Sequence, residues 1–337
     1  MVAADPHHQR ALDLGRHNAE RTTPRYRSIL LHWLARRLRR PRRVTSEPLP
    51  PVEHGQVSIT WGGHATVLIR YHRLTVLTDP MLARSVNGVR RETAPGFGAE
   101  AAASANLVLV SHGSGDHLDV GTLARVQRSA TVVVPQRTAP LVSPLGFARL
   151  VELAVGESFE HRGLTIEATP VRHGDRDHPA VSYVLRGDGP SIYFCGASGY
   201  FEGFARIGAR HRPDLALLPI AGYWPPSFRE RHMSPLDALY AFEDLRARLM
   251  VPIGYGTFAL SYEKMHDPER WMAELVKSRS LQAYVASLRP GESRVFVVPP
   301  ESADDDEDDD LGSDRDGGRG GGSGAEPRSP GALGAGA

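Results

Sequence analysis

The chain of 337 residues is poor in cysteine, in lysine and in long apolar runs. Cys195 is the single cysteine, which excludes a disulfide framework and a cysteine-rich zinc site. No apolar run reaches about 18 residues, so the sequence predicts no membrane-spanning helix. Residues 1–20 lack the apolar core of a secretory signal, and we therefore expect a cytoplasmic protein. Only Lys264 and Lys277 among the 40 cationic residues are lysine, which indicates a biased composition rather than a function.

The formal net charge of +1 conceals two oppositely charged ends. Residues 1–50 contain eleven arginines and four acidic residues, whereas residues 301–337 contain eleven acidic residues and three arginines. The sequence predicts a basic, partly disordered leader at 1–50 and a folded domain at 51–300. Residues 301–337, acidic and then glycine-rich, are predicted to form a disordered tail.

The basic leader contains a short amphipathic pattern over residues 24–43, which predicts a helix that ends at Pro41. One interpretation is a helix that lies on an anionic membrane surface through the arginines from Arg25 to Arg43, which would make the protein membrane-peripheral. The other is a helix docked on the domain. We expect no nucleic-acid partner, because the central domain is nearly uncharged and has no nucleic-acid-binding motif.

Strand patterns fill the first part of the central domain, and helix patterns come later. A serine cap at Ser234, followed by Pro235, begins one predicted helix, and a second covers 268–277. This order favours an α+β fold in which helices cover sheets. The predicted strands are 57–61, 66–70, 74–78, 106–111, 131–135, 164–169, 181–185, 191–195, 215–219, 250–253 and 294–298.

The loop at 111–119, SHGSGDHLD, is the most informative segment for function. It follows a predicted buried strand, where functional loops are common. Its glycines and the spacing of His112, Asp116 and His117 bring imidazole and carboxylate side chains to one place. These are the ligands that zinc and similar divalent ions prefer, so the loop predicts a metal site.

This loop resembles the His-x-His-x-Asp-His signature of the metallo-β-lactamase superfamily. The branch that it resembles contains N-acyl-phosphatidylethanolamine phospholipase D and the ascorbate-phosphate lactonases. The resemblance implies an αββα four-layer sandwich with a metal site at one edge of the paired sheets. The motifs that carry it, in the order of the family, are WGGHAT (61–66), LTDP (77–80), the loop at 111–119, RH (172–173), FCGASGY (194–200), LPIAGY (218–223), HMSP (232–235) and GTF (256–258).

By this resemblance, such enzymes hold two metal ions with seven protein positions. In this chain, four of those positions have metal-binding side chains, which are His112, Asp116, His117 and His173. Serine, alanine and glycine occupy the other three, where the family has a second motif histidine, a bridging aspartate and a last histidine; these residues are Ser114, Ala197 and Gly254.

Two candidate ligands therefore remain for each metal ion. His112 and His173 remain for the first ion, and Asp116 and His117 remain for the second. A catalytic zinc normally has three protein ligands, so we expect no ion or one weakly held ion of zinc, manganese or iron. Asp116 and His117 are then vestigial catalytic residues.

Two residues outside this set have supporting roles by resemblance. Asp79 is expected to hold a ligating histidine by its other ring nitrogen, and His64 either does similar work or is a structural histidine. The leading hypothesis is an inactive or severely impaired hydrolase homologue that binds a small anionic ligand or a partner. The alternative is an active metal-dependent hydrolase, similar to a phosphodiesterase, a phospholipase D or a lactonase, with an atypical mononuclear site.

Overall fold

The computed structural model describes residues 40–174 and 179–297. Within these residues, fifteen strands run in chain order as β1 to β15, at Gln56–Gly63, Thr66–Tyr71, Leu74–Thr78, Ser85–Val86, Val89–Arg90, Leu107–Leu109, Thr131–Pro135, Arg149–Leu153, Ser158–His161, Leu164–Thr169, Ser182–Gly187, Gly189–Phe194, Leu215–Pro219, Leu249–Ile253 and Ser293–Val297. Six α-helices, α1 to α6, span Ala99–Ala103, Val120–Leu123, Ala139–Val142, Gly203–His211, Pro235–Asp244 and Asp267–Ser278. Short 3-10 turns cover Ser143–Leu145 and Pro226–Glu230.

The strands form two large sheets. One has the order β15-β1-β2-β3-β6-β7-β8, and the other has the order β14-β13-β12-β11-β10-β9. Each sheet combines antiparallel hairpins with a parallel part, which is β3-β6-β7-β8 in the first sheet and β12-β13-β14 in the second. The carboxyl ends of the parallel strands β3 and β6 lie side by side, and the loop at 111–119 begins at this edge.

Strand β6 shows how the first sheet separates two layers of core. Leu107 and Leu109 belong to the core between the two sheets, whereas Val108 belongs to a second cluster on the opposite face. That second cluster includes Ala102 from α1 and Leu123 from α2. Because successive side chains of a strand alternate between its faces, a run buried on both sides is apolar throughout.

The second sheet is covered by α4, α5 and α6. Their buried apolar side chains belong to the same continuous cluster as the side chains between the two sheets. Helix α5 begins as the sequence predicts: Pro235 is at its first position, and Ser234 and Asp237 form a reciprocal capping box. With helices on both outer faces of the paired sheets, the four-layer αββα architecture is confirmed.

Among the elements that the sequence patterns did not predict, three have a clear physical reason. Strands β8 and β9 lie at or near the sheet edges and are half exposed, so their residues lack a strong apolar pattern. Helix α4 contains glycines, which lower helix propensity. A Cβ on Gly208 would lie 2.1 Å from the carbonyl oxygen of Asp244, so this glycine allows α4 to pack closely on α5.

The described end of the leader is hydrogen-bonded to the domain. The backbone amide of Arg42 donates to Glu92 at 2.8 Å, and that of Glu47 donates to Gly291 at 3.0 Å. Most of the amphipathic segment at 24–43 and the tail at 301–337 lie outside the described residues, so both remain predictions. In the described part of the chain, no helix has the length and apolar character needed to cross a membrane.

Candidate metal centre

Asp79 is the buried anchor of the site. It follows β3 with a positive φ of 33°, which turns its side chain toward the neighbouring loop. Its Oδ1 accepts the backbone N–H of Ser111 at 2.6 Å, and its Oδ2 accepts the Ser111 hydroxyl at 2.7 Å and Nδ1–H of His117 at 2.6 Å. Asp79 thus holds Nδ1 of the candidate ligand His117, the ring nitrogen that faces away from Asp116.

The contact with Asp79 fixes the tautomer of His117. Because Nδ1 donates to the carboxylate, the neutral ring of His117 has at Nε2 the lone pair that a metal ion needs. This Nε2 lies 3.5 Å from Oδ2 of Asp116. Burial acts to lower the pKa of His117, but the carboxylates of Asp116 and Asp79 outweigh it and raise that pKa.

Ser114 has become a partner of Asp116. Its hydroxyl donates to Oδ1 of Asp116 at 2.8 Å, which leaves Oδ2 for other contacts. Burial acts to raise the pKa of Asp116, but His117 and His64 hold it well below its usual range. Asp116 is therefore a carboxylate at neutral pH, with one oxygen oriented by Ser114.

His64 brings a third candidate ligand to this carboxylate. It lies in the turn between β1 and β2 with a φ of 52°, and its Nε2 is 3.3 Å from Oδ2 of Asp116. Its backbone is fixed by hydrogen bonds with Thr257 and Trp61, and by the amide of Gly254 at 2.9 Å. Burial lowers the pKa of His64. His64 hydrogen-bonds to the carboxylate of Asp116 rather than to a histidine, and it does so through Nε2, an atom that is itself able to bind an ion.

The three donors fit a single small ion. One donor atom from each of His64, Asp116 and His117 lies within 4.8 Å of the other two. Ligands bound at 2.0–2.2 Å around a tetrahedral zinc lie roughly 3.4 Å apart, close to the 3.3 and 3.5 Å separations from Oδ2 of Asp116. No other trio of His, Cys, Asp or Glu in residues 40–174 and 179–297 meets that distance.

Three more imidazoles lie beside this trio. The ring centroid of His112 is 4.0 Å from that of His117 and 4.6 Å from that of His173, which in turn lies 5.2 Å from His232. Burial is the main cause that lowers the pKa of all three, and it lowers that of His232 to about 3. His232 was not assigned to the site from the sequence, although its motif, HMSP, was noted.

The seven positions mapped by resemblance all line one cavity of about 360 Å³. Ser114, Ala197 and Gly254 therefore lie in the same cavity as the four candidate ligands, His112, Asp116, His117 and His173. Gly254 has a φ of 77°, and a Cβ there would lie 2.9 Å from Cβ of Pro219, so a larger residue is strained at that position. Cys195 is buried and does not line this cavity, and burial raises the pKa of its thiol to about 12.

A four-layer αββα sandwich with histidine and aspartate ligands at the edge of its sheets defines the class of metallo-β-lactamase-fold proteins. The family model described as a beta-lactamase superfamily domain matches residues 74–255. The chain belongs to the metallo-β-lactamase superfamily.

The curated relatives are consistent with this assignment. A UPF0173 metal-dependent hydrolase of Methanopyrus kandleri is 30% identical over 246 residues, which cover 70% of this chain and 98% of that protein. An uncharacterized protein of Mycobacterium tuberculosis is 31% identical over 248 residues, or 65% of this chain. The match spans only 64% of the length of that mycobacterial relative.

Solved structures share the fold. Igni18, a metallo hydrolase from Ignicoccus hospitalis, matches with a TM-score of 0.59 and 24% identity, covering 72% of this chain and 100% of its own. An isothiocyanate hydrolase from Delia radicum gut bacteria matches with a TM-score of 0.60 and 19% identity, covering 71% and 99%. At these identities the likeness concerns the fold alone.

Proposed function

We propose that this chain is a metal-dependent hydrolase that works with one divalent ion, held by His64, Asp116 and His117. The observation that carries the proposal is a third donor atom, Nε2 of His64, beside those of Asp116 and His117. The sequence mapping left two ligands for each ion, and Nε2 of His64 makes up the usual number of three beside Asp116. The metal-dependent hydrolases among the relatives support the same class of activity.

The chain prepares these donors before an ion binds. Asp79 orients His117, Ser114 orients Asp116, and the low pKa of Asp116 keeps it ionised. When bound, the ion would act as a Lewis acid that polarises the scissile carbonyl or phosphoryl group. Two imidazoles and one carboxylate suit zinc, and also manganese or iron.

His112 and His173 have hydrogen bonds that set their tautomers. Because the Ser111 hydroxyl donates to Asp79, it accepts Nδ1–H of His112 at 2.9 Å. Nδ1–H of His173 donates to the carbonyl of Arg231 at 2.9 Å. Both rings therefore keep an unprotonated Nε2 that accepts a hydrogen bond from a water molecule or a substrate in the cavity.

A second candidate function is ligand binding without turnover. It is favoured by the three replaced positions, because serine, alanine and glycine at 114, 197 and 254 leave no bridge for a second ion. In that case the cavity binds a small anionic ligand, as the leading sequence hypothesis holds.

Metal content and turnover distinguish the two functions. The protein is purified with zinc, manganese or iron supplied and then dialysed, and bound metal is measured per chain. Turnover is assayed on a phosphodiester, a lactone and an isothiocyanate, with Asp116→Asn as the inactive variant and His161→Gln as the control outside the site. We expect about one ion per chain and an activity that Asp116→Asn abolishes. A folded protein with neither bound metal nor turnover would contradict the hydrolase proposal and favour ligand binding without turnover.

A further inference from the structure

Lys264 lines the candidate cavity, although the chain contains only two lysines. It is exposed, in the segment between β14 and α6, and Phe258, Leu260 and Met265 line the same cavity. The cavity thus contains a flexible cation and apolar side chains as well as the histidines. From the sequence alone, the scarcity of lysine indicates only a biased composition.

The backbone around Lys264 is fixed on both sides. Glu263 accepts the backbone amides of Gly222 at 2.6 Å and of Trp224 at 3.2 Å. The carbonyl of Lys264 accepts the amide of Asp267, at the start of α6, at 2.9 Å. The lysine is therefore anchored at the cavity, while its side chain is free to adapt to a ligand.

The other charges of the cavity are already engaged. Glu263 uses its two carboxylate oxygens on the backbone, and Asp116 faces Ser114 and His64. Among the residues that the structure describes, no carboxylate forms an ion pair with Lys264. Of the described side chains on this cavity, Lys264 is the one with a permanent positive charge.

We propose that Lys264 binds an anionic group of the substrate, a carboxylate or a phosphate, while an apolar part of the same molecule contacts Phe258 and Leu260. This inference rests on the proposed function in one respect, that the substrate enters this cavity. It assigns a specificity-determining residue and a substrate class, which is a small amphiphilic anion. A lysine ammonium is a compact charge with three rotatable donors and suits either acid.

Competitive labelling of lysine tests the proposal without requiring turnover. The full chain is treated with a trace of an N-hydroxysuccinimidyl acetate, and acetylation of Lys264 and Lys277 is measured by peptide mass spectrometry. Lys277 is exposed on α6, does not line the cavity and serves as the internal reference. Benzoate and phenyl phosphate are the anionic probes, and benzamide is the uncharged probe matched in shape to benzoate.

We expect the anions, but not benzamide, to slow acetylation of Lys264 relative to Lys277, and salt to weaken this protection. Protection by benzoate alone identifies a carboxylate site, and protection by phenyl phosphate alone identifies a phosphate site. Equal rates with and without the anions, or equal protection by benzamide, would overturn the proposal. The same experiment after dialysis against EDTA separates this result from that of the hydrolase proposal, because absence of a metal does not remove the lysine.

Variants give a second measurement. Lys264→Gln should weaken binding of the protective anion by about fivefold, as expected for an ion pair near the surface, whereas Lys264→Arg and Lys277→Gln should not. Thermal unfolding of each variant shows whether it is folded. Unchanged affinity in folded Lys264→Gln would also overturn the proposal.

Discussion

His64→Gln is the sharpest test of the metal centre. Glutamine keeps a side-chain N–H that can donate to Oδ2 of Asp116, but it replaces the imidazole nitrogen with a much poorer zinc ligand. If His64 binds the ion, one of three donors is lost. Loss of a residue that merely supports a ligand costs 10–100-fold in metal affinity, so we expect a loss at least that large, about 1.4–2.8 kcal/mol.

The assay is a calorimetric titration of zinc into dialysed protein, with wild type and His64→Gln compared under the same conditions. His232→Gln is the matched control, because it removes another half-buried imidazole of the same cavity that lies outside the trio. Thermal unfolding without metal checks that each variant is folded. Zinc affinity unchanged in His64→Gln would refute the reasoning, since it would reduce His64 to a hydrogen-bonding partner of Asp116.

Three further outcomes follow from the same contacts. Asp79→Asn should lower zinc affinity by about 10–100-fold and lower the melting temperature, because three hydrogen bonds converge on this buried carboxylate. Gly254→His should destabilise the protein by about 1–3 kcal/mol in urea unfolding, because its φ is 77° and Pro219 crowds a Cβ; Ala197→Asp, on the same cavity without that strain, should cost less. Burial, followed by the effect of His173, lowers the pKa of His232 from 6.5 to about 3, so between these values the unfolded chain binds more protons. Acidification through that range should therefore reduce the free energy of unfolding, and His232→Gln should make this dependence shallower in urea titrations at about pH 7 and about pH 5.

Four buried strands were predicted from the sequence to the residue. The observed bounds of β3, β7, β10 and β13 are the predicted ones, because apolar and β-branched residues fill most of each run. Edge strands β8 and β9 and helix α4 were not found, since exposure and glycine weaken their patterns. A local sequence pattern therefore predicts a strand or helix best where both faces of that element are buried.

The residues that line the cavity were predictable where they belong to motifs that occur in the same order along the chain as in the family. The seven mapped positions line one cavity, since the resemblance carries the topology of the sheet edge with it. The meeting of His64 with Asp116 was not predictable. It spans 52 positions and depends on a positive φ in the turn after β1. The position of Lys264 at the cavity was not predictable either, because no sequence pattern shows that its loop returns to the cavity.

The hydrogen bonds of Asp79 have a consequence for how the protein acquires its metal. This carboxylate holds the backbone and hydroxyl of Ser111 as well as the ring of His117, with no help from an ion. In a zinc finger the free energy of metal binding is the free energy of folding, and chelators unfold the domain. Here the chain itself shapes the loop, so an ion at the proposed site would bind to a folded protein. Such an ion would then be exchangeable without unfolding the domain, and a chelator would leave the fold intact.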